Sequence, residues 1–174
     1  MPEFLAHGIT GFLAWLMALA AWHKFSDPFA YRTVVADYLG GAPVPAPVVS
    51  LVAAVEAAIA LLLLVPATRQ LALVAAAVLL LAYASLMALQ VLQGRREMRC
   101  GCAGPDAQVT VSPVLVGRNL LCVTLALAAL DSAPTTASAV STLVVTPLVA
   151  AFLVLTYLCS EHLIDNAQRM AKGF

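Results

Sequence analysis

The chain has 174 residues, of which 63% are hydrophobic and only 10% are charged. Soluble domains are typically about 45–50% apolar and about 25% charged, so this composition excludes a soluble globular fold and indicates an integral membrane protein. The formal net charge is zero, which excludes the broad basic surface of a nucleic-acid-binding protein.

Five hydrophobic runs are long enough to cross a bilayer, which takes roughly 20 helical residues. Each is predicted to be a helix, because lipid offers no partner to an unpaired backbone group. The predicted spans are 4–22, 47–65, 71–92, 114–130 and 143–159. No Lys or Arg precedes the first span, as one would in a signal peptide, so we expect it to be retained. The expected fold is a single all-α membrane domain over 1–174, with a four-helix transmembrane bundle and a fifth C-terminal helix.

The segment after the first span predicts a short amphipathic helix over 28–39. Asp27 followed by Pro28 is typical of a helix start, with an N-cap acceptor and then proline at the first helical position. Apolar residues recur with the spacing of one helix face, at Tyr31, Val34, Val35, Tyr38 and Leu39. Gly40 and Gly41 end the pattern. We expect the helix to lie in the membrane interface; an ordinary capped loop helix is the alternative.

Glu56 lies midway along the second span, where an ionised side chain is costly. Such residues usually face the bundle interior and have a partner. Arg118, followed by Asn119 one turn into the fourth span, is the candidate partner, and we expect four helices to pack around Glu56 and Arg118. A structural clamp predicts that Glu56→Ala destabilises the bundle while Glu56→Gln is tolerated. A proton- or quinone-linked role is the alternative.

The loop 93–113 carries two cysteines, Cys100 and Cys102, separated only by Gly101. A disulfide between them requires the chain to bend, and glycine bends most easily. Such a bridge is expected to be strained and readily reduced, which suits thiol–disulfide exchange. Arg99 favours the Cys100 thiolate, so Cys100 is expected to attack and Cys102 to resolve. Inert loop cysteines, soft ligands for a Cu(I)-like ion and a fixed structural bridge are the alternatives.

The remaining thiols and imidazoles give weaker indications. Cys122 in the fourth span and Cys159 at the end of the fifth are candidate secondary thiols that could feed the first pair, although buried cysteines often serve only as small apolar fillers. His7, His23 and His162 are scattered along the chain, so no metal site is predicted. No cofactor is required, and a quinone is a candidate without direct support.

The basic residues predict an orientation. One side of the membrane holds Lys24, Arg32, Arg95, Arg96, Arg99, Arg169 and Lys172, and the other holds Arg69. The positive-inside rule therefore places the cysteine loop and the C terminus in the cytoplasm.

Several of these features together resemble the methylamine-utilisation MauE family, part of the wider DoxX-like group of small membrane proteins. His-Lys-Phe at 23–25 closes the first span, and Thr-Arg at 68–69 lies in a tight turn. Cys-Gly-Cys-x-Gly runs over 100–104, and Arg-Asn at 118–119 opens the next span. The resemblance covers spans one to four. Ala103 departs from the aromatic residue expected at its position.

The resemblance implies a bacterial inner-membrane protein that works with a thioredoxin-like partner, MauD, in maturing the methylamine dehydrogenase small subunit. That client is periplasmic, rich in disulfides, and carries a quinone made from two of its own tryptophans. The implied location of loop 93–113 is therefore periplasmic, against the charge count. The first hypothesis is a membrane thiol–disulfide oxidoreductase. The alternatives are a non-catalytic chaperone or docking subunit, and a small-solute or metal transporter that uses Glu56.

Overall fold

The computed structural model describes residues 1–95, 98–101, 109–131 and 139–171. Within these ranges the chain forms six helices: α1 (Glu3–Ser26), α2 (Pro28–Tyr38), α3 (Ala46–Leu64), α4 (Arg69–Leu92), α5 (Pro113–Leu130) and α6 (Ala139–Ala171). Five of them, all except α2, are long and apolar enough to cross a membrane. The predicted all-α membrane fold is confirmed.

α1 is the central helix of the bundle. It packs against α3, α5 and α6, while α4 packs mainly against α5 and then against α3. The core between them is apolar, with Leu13, Met17 and Leu73 among its fully buried side chains. α6 contributes few buried residues to this core, as expected of a helix added to the outside of a four-helix bundle.

α2 begins where its sequence predicts. The Asp27 carboxylate accepts a hydrogen bond of 2.9 Å from the backbone N–H of Ala30, and Pro28 occupies the first turn. The helix ends before Gly40 and Gly41, whose φ angles of 73° and 89° lie in the left-handed region that glycine adopts without strain. The cap and the stop therefore set the length of α2.

α6 is longer than its predicted span. Its 33 residues correspond to about 50 Å of helix, whereas the hydrocarbon core of a bilayer is about 30 Å thick. The polar sequence from Glu161 onward continues the helix to Ala171. The last turns of α6 therefore extend beyond the membrane.

α1 and α6 cross in close contact at Gly8. A Cβ atom at this position would lie 2.6 Å from Cγ1 of Val149 and 3.1 Å from the carbonyl oxygen of Thr146. Small residues allow two membrane helices to approach at backbone distance, where dispersion contacts hold them together. Gly8 is thus required by the packing of α6 on α1.

Gly8→Ala is expected to lower the free energy of unfolding by about 1–3 kcal/mol, because the added methyl overpacks this crossing. Thermal unfolding in detergent, followed by circular dichroism, measures the change. Gly117→Ala in α5 is the matched control, since a Cβ there meets nothing within 4 Å. Equal stabilities of the two variants would contradict the close crossing.

Candidate functional site

A buried ion pair lies inside the bundle. The carboxylate of Glu56, in the middle of α3, has no solvent-exposed surface. The Lys24 ammonium, in the last turn of α1, donates to its two oxygens at 2.7 and 2.8 Å. The Tyr83 hydroxyl from α4 donates to one of the same oxygens at 2.7 Å. A carboxylate removed from solvent is stable only when it is paired and hydrogen-bonded in this way.

Two aromatic rings complete the surroundings of the Lys24 ammonium. Its nitrogen lies 5.3 Å from the ring centroid of Tyr31 in α2 and 5.7 Å from that of Tyr83. Both distances are within the range of a cation–π interaction. We call Lys24, Tyr31, Glu56 and Tyr83 the charge cluster. Its members come from four different helices, α1 to α4, so it joins those helices at one point.

The ion-pair partner that the structure shows for Glu56 is Lys24, which the sequence did not predict. The guanidinium carbon of Arg118 lies 4.3 Å from the ring centroid of Tyr157 in α6, whereas the carboxylate is held by Lys24. Ending the first span at residue 22 left Lys24 in a loop, but α1 continues to Ser26. Lys24 therefore faces the bundle, where the C-terminal dipole of α1 also favours a cation.

Asn119 lies beside the charge cluster. A cavity of about 30 Å³ is lined by Lys24, Glu56, Tyr83 and Asn119, together with apolar residues. The Asn119 side chain is 4% exposed, and its amide nitrogen has no hydrogen-bond partner among the described residues. A cavity of this size has room for a water molecule, the usual partner of a buried polar group. Glu56 and Asn119, both singled out in the sequence, thus line one cavity together with Lys24.

Two segments of the cysteine loop, residues 98–100 and 109–111, run antiparallel and are joined at one β-bridge. The Cys100 N–H donates to the Val109 carbonyl at 3.0 Å, and the Val111 N–H donates to the Met98 carbonyl at 2.9 Å. Arg99 and Thr110 lie opposite each other as an antiparallel bridge. We call these six residues the cysteine ribbon.

The end of α6 holds the cysteine ribbon in place. The Gln168 side-chain oxygen accepts the Thr110 N–H at 2.8 Å, and its nitrogen donates to the Thr110 carbonyl at 2.9 Å. The Thr110 hydroxyl also donates to the Gln168 oxygen at 3.1 Å. The amide of Gln168 thus pairs with the backbone as a neighbouring strand would. The sequence gives no pattern from which this contact could be predicted.

Cys100 is buried beneath the ribbon. Its side chain is 7% exposed and packs with Val109, Val111 and Leu115. Its sulfur lies 3.6 Å from the Met87 sulfur. This burial argues against the predicted role of Cys100 as the residue that attacks first, because its sulfur is not accessible to a protein partner in this conformation. Cys102, like Arg96, Ala103 and Lys172, lies outside the described residues.

Gly101 makes the bend that its position predicts. Its φ angle is +70°, and a Cβ there would lie 3.0 Å from Cγ1 of Val34 and 3.8 Å from Cε1 of Tyr31. Both the left-handed backbone and the contact with α2 therefore require glycine. Through Tyr31, the bend next to Cys100 lies against the charge cluster.

The two other cysteines do not share this location. Cys122 is buried in the main core with Val123 and Ala126, whereas Cys100 belongs to a separate cluster at the end of the bundle. Cys159 is exposed on the surface of α6. In the described part of the chain, no group of three or more His, Cys, Asp or Glu side chains converges to hold a metal ion.

Comparison with known proteins identifies a matching family and a matching relative. The family described as "Methylamine utilisation protein MauE" matches residues 2–132, which contain α1 to α5, the charge cluster and the cysteine loop. A protein of Paracoccus denitrificans described as "Methylamine utilization protein MauE" is 37% identical over 169 residues, covering 93% of this chain and 91% of that protein. No solved structure matches.

Glu56→Gln is expected to destabilise the bundle by about 2–4 kcal/mol, because it leaves the largely buried Lys24 ammonium without a compensating charge. This replaces the expectation that glutamine is tolerated. Denaturant unfolding in detergent measures the loss. The double variant Lys24→Met/Glu56→Gln removes both charges and should recover most of it.

Asp165→Asn is the matched control, because Asp165 forms a surface ion pair with Arg169, whose side chain is 59% exposed. Such pairs contribute only about 0–1 kcal/mol. A stable Glu56→Gln variant that has lost its activity would instead indicate a proton-linked role for Glu56.

Proposed function

Because the chain belongs to the MauE family of methylamine utilisation proteins, we propose that it is a membrane thiol–disulfide exchange protein. It works with a thioredoxin-like partner of the MauD type in forming the disulfides of the methylamine dehydrogenase small subunit. The observation that carries the proposal is the support of the Cys100–Gly101 bend. The ribbon, α2 and α6 all hold the backbone next to the cysteine pair.

The chemistry needs only the cysteine pair and the partner's disulfide. A thiolate of the pair attacks one partner sulfur, which forms a mixed disulfide and releases the other partner sulfur as a thiolate. The second cysteine of the pair then attacks the mixed disulfide, closes the Cys100–Cys102 bridge and releases the first partner sulfur. Two electrons and two protons pass to the partner in total. The reverse sequence passes them from the partner to the Cys100–Cys102 bridge, and this is the direction that leaves the partner oxidised for disulfide formation in the client.

The burial of Cys100 supports a division of roles within the pair. A first attack on a protein disulfide needs an accessible sulfur, and the Cys100 sulfur faces Met87 inside an apolar cluster. We assign the first attack to Cys102 and the resolving step to Cys100. This order is the reverse of the one that Arg99 suggests.

A docking subunit without redox chemistry is the second candidate. The same burial of Cys100 favours it, since cysteines buried in apolar clusters commonly behave as small apolar side chains. A transporter has less support than either of these functions. The Glu56 carboxylate is neutralised by Lys24, and the cavity of about 30 Å³ beside it has room only for water.

We place the cysteine loop on the periplasmic side of the bacterial inner membrane, where the proposed client matures. Lys24 no longer counts as a loop charge, because it forms a buried pair with Glu56. Arg32 donates to the Val44 carbonyl at 3.0 Å, so it is also engaged within the fold. Without Lys24, six basic residues remain on the loop side against Arg69 on the other, so the proposed periplasmic placement rests on the client and not on the charge count.

Cys100→Ser is expected to trap a covalent complex with the MauD-type partner, because Cys102 attacks and nothing resolves the mixed disulfide. Cys102→Ser should trap none, and both variants should stop client maturation. Non-reducing electrophoresis shows the complex as a band that reductant removes. A band only with Cys102→Ser would reverse the roles. Client maturation by the double variant, with no band from either single one, would support the docking subunit.

Orientation is tested with single exposed thiols in a background in which all four native cysteines are replaced by serine. Asp37→Cys in α2 shares the membrane face of the cysteine loop, and Gln70→Cys at the start of α4 lies on the opposite face. In intact spheroplasts, a membrane-impermeant maleimide should label Asp37→Cys at least tenfold more than Gln70→Cys. The opposite ratio would place the loop in the cytoplasm.

A further inference from the structure

The cysteine ribbon has two edges, and the hydrogen-bond pattern determines which groups each presents. Its two backbone bonds flank the Arg99–Thr110 bridge, from Cys100 to Val109 and from Val111 to Met98. In an antiparallel ladder, a pair flanked in this way points its own N–H and C=O groups away from each other. Thr110 therefore presents its backbone groups at one edge and Arg99 at the other.

The Thr110 edge is already occupied. Both of its backbone groups bond to the amide of Gln168, at 2.8 and 2.9 Å. The Arg99 edge differs, because neither its N–H nor its carbonyl oxygen bonds to any residue in the described ranges. Arg99 is also exposed. An edge with free N–H and C=O groups is a template for an added strand.

We propose that the Arg99 edge receives an extended segment of the thioredoxin-like partner, which adds to the ribbon as a third strand. The inference rests on the proposed function and names the surface through which the partner docks. In β-strand addition, main-chain hydrogen bonds supply affinity and fix the register of the added segment. Here one N–H and one carbonyl of Arg99 make these bonds.

The position of the edge favours the exchange partner as its occupant. Paired strands lie about 4.8 Å apart, and the Arg99 carbonyl belongs to the peptide bond that leads into Cys100. A segment added at this edge thus lies next to the backbone of Cys100. The exposed Arg99 guanidinium supplies a positive charge at the same place, which stabilises the thiolate released by the attacked disulfide.

Binding of a partner at the Arg99 edge also leaves the contacts that support the ribbon in place. Gln168 anchors the ribbon from the Thr110 side, while Gly101 rests on Val34 of α2. A partner that pairs with Arg99 displaces neither contact. The ribbon can therefore bind and release a strand without losing the support that positions Cys100.

The test compares Arg99→Pro with Arg99→Ala in the full-length chain. Both variants lose the guanidinium, but only proline also removes the backbone N–H. Proline is tolerated at an edge whose N–H points away from the ladder. Disulfide exchange with a purified MauD-type protein, followed by quenched time points, should be about tenfold slower for Arg99→Pro than for Arg99→Ala. Exchange with dithiothreitol, which needs no docking, should be equal in the two variants.

Each outcome decides a different question. Equal rates of the two variants with the protein partner would overturn the docking edge and leave the exchange function intact. Absence of exchange by the native chain would remove the proposed function and the inference with it. If Arg99→Pro instead changes the oligomeric state of the chain, a second copy occupies the edge, and the partner assignment is wrong.

A second measurement uses the native Arg99 and so does not depend on whether the proline variant folds. In a chain labelled with ¹⁵N-arginine, the Arg99 amide proton should exchange rapidly with deuterium when the protein is free. In the covalent complex with the partner, trapped through Cys100→Ser, its exchange should slow at least about tenfold, because the N–H is then hydrogen-bonded. Unchanged exchange in the trapped complex would overturn the proposal.

Discussion

The ion pair between Lys24 and Glu56 is the interaction on which the arrangement of the bundle depends. Two unit charges inside a membrane protein are stable only while they stay together, so the pair fixes α1 against α3. Tyr83 extends this constraint to α4 by its hydrogen bond, and Tyr31 extends it to α2 through its ring. Apolar packing alone gives membrane helices little preference for one rotation over another. The charge cluster supplies that preference.

The same constraint reaches the cysteine loop. The ring of Tyr31 lies 5.3 Å from the Lys24 nitrogen. On its other side, Cε1 of the same ring lies 3.8 Å from the place that a Cβ on Gly101 would take. α2 is therefore the platform on which the bend next to Cys100 lies, and its orientation follows from the charge cluster. The loop is held from a second direction by Gln168 of α6. Two independent contacts thus position a loop whose sequence alone would allow many conformations.

The sequence was sufficient for the features that depend on local chemistry. Hydrophobic length located the membrane helices, the Asp27–Pro28 pair located the start of α2, and the glycine between two cysteines indicated a bend. Long-range pairings were harder. Lys24 was missed because the first span was ended at its last strongly apolar residue, although helical backbone continues for another turn. The pairing could have been inferred from the presence of one cation, Lys24, in that turn and one carboxylate, Glu56, in the middle of a membrane span.

Other features had no indication in the sequence. Cys100 is buried because residues of a ribbon alternate between its two faces. The loop of 21 residues from Gln93 to Pro113 contains no sequence pattern that predicts a ribbon. Its amide partner, Gln168, lies 58 positions away from Thr110 in the chain. Such contacts follow from the three-dimensional path of α6.

Two contacts of α6 lie far apart along its length, with the packing of Tyr157 against Arg118 between them. Val149 packs on Gly8, and Gln168 holds Thr110; 19 residues of helix between them span about 28 Å, close to the thickness of the hydrocarbon core. The length of helix between these two contacts therefore matches the distance between the two faces of the membrane. A thicker or thinner bilayer changes the tilt of a membrane helix, and any change in the tilt of α6 moves Gln168 relative to the ribbon. Bilayer thickness is in this way linked to the support that Gln168 gives to Thr110 in the cysteine ribbon.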